Sequence, residues 1–171
     1  MKVAQLPASD FEHYLKNYLQ KVPDLTLLKS LEYSRDLVKN LYQGMSPEKA
    51  LYTYADDKWT PKERLLHLID SERIFCTRAL RFARKDETVL SGYNHEAFVE
   101  ESLANERSLS SLLEEYNAQR QSSIFLFKSF TQEMLQRKGN ANGLVVSVAA
   151  VGLVISGHEL HHVQILKDRY L

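Results

Sequence analysis

Residues 157–165 read GHELHHVQI and carry two histidines four positions apart, His158 and His162. In an α-helix this spacing places both rings on one face, about 6 Å apart along the axis. Two neutral imidazoles on one face can bind a single divalent cation when another element supplies a third ligand. The stretch therefore predicts a metal-binding pair carried by a helix.

The residues around this pair have the spacing of a helix packed in a bundle. Apolar residues and the two histidines follow one another at intervals of four, three, four and three: Val151, Ile155, His158, His162 and Ile165. This is the buried seam of a bundle helix, so both histidines occupy core positions. His161 lies on a neighbouring row that becomes polar, at the margin of the predicted site.

One other interpretation of these histidines remains open. They can be core residues that are hydrogen-bonded to the backbone or to each other, without any metal. The segment is not expected to be the His-Glu-x-x-His motif of a zincin, because the second histidine is taken to be residue 161 and His158-Glu159-Leu160-His161 has the wrong spacing.

The composition indicates a small globular protein without a strong electrostatic partner. With 171 residues, the chain is expected to form a single domain, residues 1–171. Lys+Arg and Asp+Glu both number 22, and this balance argues against nucleic acid or an anionic membrane as a partner. The single cysteine, Cys76, the lack of a signal peptide and the lack of an apolar run of about 20 residues favour a cytoplasmic protein.

The few prolines and glycines divide the chain into long helical segments, which predict an all-α four-helix bundle. A short helix is expected over residues 9–20, followed by long helices over residues 26–43, 60–84, 108–130 and 144–169. Residues 44–59 and 86–95 are expected to be loops, and residues 139–143 a turn. Thr60-Pro61-Lys62-Glu63 predicts a capping box at the start of the second long helix. Gly152 and Gly157, inside the last helix, predict close approach of a neighbouring element.

His67, two turns into the second long helix, is the best candidate for a third metal ligand. It borders the apolar seam of its helix, and bundles build cofactor sites from side chains on facing helices. A histidine at the edge of a seam without a ligand role is the alternative. His13 and His95 are poorer candidates, because one lies in the short terminal helix and the other in a predicted loop.

With these residues in view, the sequence resembles the DinB-like family of damage-inducible proteins, which are related to bacterial thiol-dependent transferases. The matching segments are KWT before the helix of His67 (residues 58–60), LIDSERIF (68–75), RALRFAR (78–84) and GHELHH (157–162). The resemblance implies an up-down-down-up four-helix bundle, typically a homodimer, with a site for Zn²⁺ or Ni²⁺. Carried over by position, its metal ligands are His67, His158 and His162.

The resemblance also implies an activity on small molecules. Relatives attach a low-molecular-weight thiol, such as bacillithiol or mycothiol, to an electrophile, so the expected function is metal-dependent thiol S-transfer with that thiol as co-substrate. Two alternatives stay open: a metal-dependent hydrolase, and a non-catalytic metal- or small-molecule-binding bundle involved in stress response. No catalytic base is assigned. Asp70, Glu72 and Glu159 are candidates for orienting a ligand histidine, with structural ion pairs as the alternative.

Overall fold

The computed structural model describes residues 1–11 and 13–171, without the side chains of residues 13 and 14. The side chain of His13, one of the poorer ligand candidates, therefore lies outside the described part of the chain. The helices and strands of the described residues are α1 (His13–Leu19), α2 (Leu27–Gln43), α3 (Pro47–Ala50), α4 (Pro61–Ala83), α5 (His95–Glu100), α6 (Leu109–Lys128), α7 (Gln132–Gln136), β1 (Lys138–Ala141), β2 (Leu144–Ser147) and α8 (Val148–Arg169). Among them, no helix is long and apolar enough to cross a membrane.

Four long helices, α2, α4, α6 and α8, form the bundle that the sequence predicts. Helix α4 packs against α6 and α8, and α2 packs against the same two helices on the other side. Helix α1 lies against α8. The bundle therefore closes as a ring in which α4 and α8 are direct neighbours.

The predicted capping box sets the start of α4. The Thr60 hydroxyl accepts the backbone N–H of Glu63 at 3.2 Å, and the Glu63 carboxylate accepts the backbone N–H of Thr60 at 2.7 Å. Pro61 occupies the first helical position, where no N–H is required. This start fixes the phase of α4, and with it the direction in which His67 faces, two turns later.

The core consists of two apolar clusters with a polar layer between them. One cluster contains Leu31, Cys76 and Ile155, which confirms Cys76 as a buried core residue. The other contains Val38, Ile69 and Tyr116. Between them, each bundle helix contributes a buried polar residue: Ser34, Glu72, Arg120 and Glu159.

The start of the last helix differs from the prediction. Residues 144–147 form strand β2, paired antiparallel with β1 so that Lys138 lies opposite Ser147, and α8 begins only at Val148. An Asn-Gly turn joins the strands, with positive φ angles of 56° at Asn142 and 76° at Gly143. This turn favours a hairpin, and the Ser147 hydroxyl then caps α8 by accepting the N–H of Ala150.

Smaller differences concern the connections and one core residue. The predicted loop over residues 44–59 contains the short helix α3, and α5 begins at His95, which was expected in a loop. In α2, Leu41 is only half-buried, whereas Tyr42 is fully buried and donates its hydroxyl hydrogen to the Pro61 carbonyl at 2.9 Å. The phenol therefore belongs to the core because its hydroxyl has a buried acceptor.

The prediction of close approach at the two glycines of α8 is confirmed. A Cβ atom on Gly157 would lie 2.3 Å from the backbone carbonyl oxygen of Tyr18 in α1, and one on Gly152 would lie 2.7 Å from the Phe127 ring. Glycine at these positions lets α1 and α6 pack directly onto the backbone of α8.

Replacing Gly157 with alanine should therefore destabilise the protein. The new methyl group would meet a backbone atom that cannot rotate away, at an expected cost of roughly 1–3 kcal/mol in the free energy of unfolding. Gly44→Ala is the matched control, because a Cβ there meets nothing within 4 Å. Urea unfolding of both variants measures the effect, and equal stabilities would contradict the packing argument.

Candidate metal centre

The three histidines singled out from the sequence lie together in the structure. His67 of α4 faces His158 and His162 of α8, and their potential ligand atoms all lie within 4.8 Å of one another. The Nε2 atom of His158 is 3.2 Å from Nε2 of His67 and 3.1 Å from Nε2 of His162. Three ring nitrogens therefore converge on one point between neighbouring helices.

Burial keeps these imidazoles neutral. Each side chain is less than a tenth exposed. Loss of hydration, followed by the nearby His95 and Arg64, lowers the pKa of His67 to about 4. Burial and then His67 hold the pKa of His158 well below its ordinary value, and burial and then His158 do the same for His162. Neutral imidazole is the form that binds metal ions.

The spacing of the nitrogens fits a divalent cation. Zn–N bonds of 2.0–2.1 Å in tetrahedral geometry place two ligand nitrogens about 3.3 Å apart, close to the separations seen here. Without a cation, such short N···N contacts require shared protons on the rings. A cation would bind the lone pair of each neutral imidazole, so the ring protons would have to lie on the opposite nitrogens. The donor set is thus chemically suited to Zn²⁺ or Ni²⁺.

Arg64 contacts the histidine cluster through the ring of His162. Its Nη1 lies 3.4 Å from Nδ1 of His162, and its guanidinium also approaches the Tyr170 hydroxyl at 3.4 Å. The same group lies over the ring of Trp59, 5.8 Å from its centroid. Arg64 therefore adds fixed positive charge beside His162, which favours an anionic group at the cluster.

Aromatic rings cover the outer side of the cluster. The centroid of Trp59 lies 4.8 Å from that of His67, and its ring is nearly parallel to that of His162 at 6.5 Å. Tyr18 meets His158 edge-on at 5.4 Å. These rings fix the orientation of the imidazoles and reduce their access to water.

The other two histidines near the cluster occupy the positions expected for non-ligands. His161 is half-buried, and its ring contacts Tyr18 at 5.7 Å, which agrees with its predicted place at the margin. His95, in the first turn of α5, is exposed and lies 5.8 Å from His67, measured between ring centroids. Both line the cavity outside the three-histidine cluster.

The three candidate orienting carboxylates do not contact the histidines. Among the described hydrogen bonds and ion pairs, Glu72 and Glu159 bind Arg120, and Asp70 binds Arg73. The alternative interpretation, structural ion pairs, is therefore correct for all three. Arg73 is the partner of Asp70 at the surface of α4, and Arg120 is the partner of both glutamates in the core.

Glu159 occupies the position of the glutamate base in a zincin motif, but its contacts lie elsewhere. The expectation that the segment lacks a His-Glu-x-x-His motif is wrong, because His158, Glu159 and His162 have the spacing of that motif. Glu159 nevertheless accepts the Tyr116 hydroxyl at 2.6 Å and pairs with Arg120 at 2.7 Å, with 2% of its surface exposed. The carboxylate is committed to the core and is not available as a base at the cluster.

A cavity of about 680 Å³ extends from the histidines between α4, α8 and the hairpin. Its lining includes Trp59 and the three histidines, and also Arg78 and Asn142. Valines of α8 and β2 contribute apolar surface to the same lining. The size suits a small organic molecule with one end at the cluster.

Sequence reasoning missed the roles of Arg64 and Arg120. Arg120 follows Tyr116 by four residues and precedes Ile124 by four, so its position in the apolar seam of α6 was the available signal. Arg64 immediately precedes the buried Leu65 and lies one turn before His67, and nothing in the spacing separates it from a surface arginine.

Comparison with known proteins agrees with this geometry. The sequence model described as the DinB superfamily matches residues 30–166. No curated protein matches the chain. Among solved structures, the chain is similar to YfiT from Bacillus subtilis, described as a probable metal-dependent hydrolase with an unusual four-helix bundle topology; identity is 19%, the TM-score is 0.72, and the match covers 84% of this chain and 85% of that one. At this identity the similarity concerns the fold, which is the predicted up-down-down-up bundle. The chain belongs to the DinB superfamily.

Proposed function

We propose that the chain is an enzyme that holds a divalent cation, Zn²⁺ or Ni²⁺, with His67, His158 and His162 and transfers a low-molecular-weight thiol to an electrophile. The observation that carries the proposal is the convergence of three buried, neutral imidazoles at the end of a cavity. Three protein ligands leave a coordination position free, which is the arrangement of catalytic rather than structural zinc sites.

The chain supplies the conditions that a thiolate requires. A divalent cation, when bound, contributes the positive charge that removes the proton from a coordinated thiol. Arg64, beside His162, adds a second positive charge that favours the anionic sulfur. The apolar lining around Tyr18 and Phe75 limits hydration of the sulfur and so preserves its nucleophilicity.

The reaction balances without a redox partner. The thiol loses its proton, the sulfur forms a bond to the electrophilic carbon, and the leaving group departs with the bonding electrons, or an activated double bond takes up the proton. The chain's own histidines are ligands in this scheme and no side chain is assigned as a base.

Hydrolysis is the second candidate, and the similarity to YfiT favours it, since that protein is described as a probable metal-dependent hydrolase. The same open position suits a water molecule as well as a thiol. The two candidates share the cluster and differ in the nucleophile, so they can be separated by substrate.

A panel of reactions with metal-loaded protein tests the proposal. Thiols, including bacillithiol, mycothiol and glutathione, are combined with monochlorobimane as the electrophile, and nitrophenyl esters and phosphates are tested in parallel. We expect adduct formation at least about tenfold above that of chelator-treated protein, restored by added Zn²⁺ or Ni²⁺. Ester or phosphate turnover without thiol transfer would establish the hydrolase instead.

His95→Ala is the control for this panel, because His95 lies beside the cluster without belonging to it. A metal that raises stability but supports no turnover of any kind would indicate a structural site. The homodimer remains part of the proposal, and size-exclusion chromatography with light scattering of the same preparations measures it.

A further inference from the structure

Arg78 gives the cavity a second polar group, apart from the histidine cluster. This residue lies eleven positions after His67 in α4, which corresponds to about 16 Å along the helix and a rotation of only about 20°, so both face the same side. Ser71 and Phe75 lie between them on that face and line the same cavity. Helix α4 therefore forms one wall, with the histidine cluster at one end and a guanidinium at the other.

The Arg78 guanidinium has capacity for a ligand. It is half-buried, and burial lowers its pKa from the ordinary arginine value. One hydrogen bond is formed, from Nη2 to the Ser91 carbonyl oxygen at 3.0 Å. No carboxylate pairs with it among the residues that the structure describes. The remaining N–H groups form the planar fork that binds a carboxylate through two parallel hydrogen bonds.

Neighbouring arginines of the same helix are already satisfied. Arg73 binds Asp70 and Glu115, and Arg81 binds Asp86. Arg78 thus differs from the arginines before and after it, since it lines the cavity and has no carboxylate partner in the described part of the chain.

Apolar side chains of α8 and β2 line the same cavity. They are Val151 and Val154 of α8 and Leu144 and Val146 of β2. Such a surface binds hydrocarbon, and each buried methylene contributes about 0.8 kcal/mol. A ligand that fits both features has an apolar body and an anionic head.

We propose that Arg78 is the carboxylate-binding residue of this cavity and that the substrate is an elongated amphiphilic acid, whose apolar body lies along Val151, Val154 and Val146 and whose reacting end lies at the histidine cluster. The choice of reacting end rests on the proposed function, whereas the carboxylate site does not. The side chain of Asn142 lies against Gly92, next to the Ser91 carbonyl that Arg78 binds, and so adds a polar group for the head group.

Binding of octanoate and of octanol to the chelator-treated full-length protein tests the carboxylate site without any metal chemistry. Isothermal titration calorimetry should give a dissociation constant for octanoate that is roughly ten- to a hundredfold lower than that for octanol. This ratio corresponds to the free energy of charge-assisted hydrogen bonds to the carboxylate. Arg78→Met should remove this preference and leave octanol binding unchanged, and Arg78→Lys should retain part of it.

Arg84→Met is the matched control, because it removes the same charge just after the end of α4, at a residue that contacts Phe130 rather than the cavity. Circular dichroism melting verifies that the variants remain folded. Equal binding of octanoate and octanol, an unchanged preference in Arg78→Met, or no binding of octanoate at millimolar concentration would each overturn the proposal.

A second arm separates this site from the proposed function. Zinc-loaded protein is titrated with ω-mercaptooctanoate and with its methyl ester, so that the sulfur can bind at the cluster while the carboxylate binds at Arg78. A preference for the acid that Arg78→Met abolishes supports the elongated pose. If the protein takes up no metal but still prefers octanoate through Arg78, the proposed function fails and the carboxylate site stands.

Discussion

His158→Ala should abolish metal uptake while leaving a folded bundle. His158 is the central residue of the cluster, since its Nε2 contacts the Nε2 atoms of both other histidines. Removing one of three ligands leaves a two-histidine site, and affinity should fall by more than the 10–100-fold that loss of an outer hydrogen-bond partner costs. Elemental analysis of untagged protein should give about one metal ion per chain for the native protein and none for the variant.

Metal binding should also raise the thermal stability of the protein. A cation that binds only the folded chain adds about 4 kcal/mol when its free concentration is a thousand times the dissociation constant. For a chain of this size that corresponds to a rise of roughly 8–16 °C in the melting temperature. The rise should be absent in His67→Ala, His158→Ala and His162→Ala.

Two controls and one optical signal make this measurement decisive. His95→Ala and His161→Ala should retain the metal, because neither ring belongs to the cluster. The only tryptophan of the chain, Trp59, lies 4.8 Å from His67, so binding of Ni²⁺ or Co²⁺ should quench its fluorescence. Full metal content in the His158 variant would exclude the proposed site.

The cluster could be predicted because its signals are local. The four-residue spacing of His158 and His162 lies within one helix. The capping box at Thr60 fixes where α4 begins, and so determines the face of that helix on which His67 lies. What spacing could not provide was the pairing of α4 with α8, which depends on packing of the whole bundle. For His67, the family resemblance supplied that information.

The hairpin was missed because its hydrophobic pattern is ambiguous. Residues 144–147 are followed directly by the apolar start of α8, and a short apolar run does not distinguish strand from helix. The Asn142-Gly143 pair was recognised as a turn, but not as the two-residue turn of a hairpin. Its consequence is functional, since Val146 of β2 lines the cavity.

The polar layer depends on contacts that no local pattern contains. The sequence leaves two roles open for Glu72, orienting a histidine or forming a structural ion pair, and the structure pairs it with Arg120. The partner lies 48 positions away on another helix. A sequence alone can therefore show that a buried charge needs a counter-ion without showing which residue supplies it.

Arg120→Met should cause the largest loss of stability among single substitutions in the core. The fully buried guanidinium binds both carboxylate oxygens of Glu72 at 2.8 and 2.9 Å and Glu159 at 2.7 Å. Its remaining hydrogens go to the Leu31 carbonyl at 2.7 Å and the Ser34 hydroxyl at 3.1 Å. Every N–H group of the side chain is thus satisfied, and one residue connects all four bundle helices.

The expected loss follows from what remains after the substitution. Methionine fills much of the volume, but Glu72 and Glu159 stay buried without a cation. Removing one partner of a buried ion pair costs about 3–5 kcal/mol, a large part of the 5–15 kcal/mol that stabilises a typical domain. Chemical and thermal unfolding should show this loss, with a melting temperature lower by roughly 6–20 °C.

The exposed ion pair of α4 provides the comparison. Arg73 binds Asp70 and Glu115, with 46% of its side chain exposed, and Arg73→Met should change stability by no more than about 1 kcal/mol. Combining Arg120→Met with Glu72→Leu and Glu159→Leu should recover much of the loss, because the desolvated charges are then gone. If Arg120→Met were no more harmful than Arg73→Met, the layer would not hold the bundle together. If the triple variant regained stability but lost metal affinity, the layer would instead serve to position His158, which directly precedes Glu159 in α8.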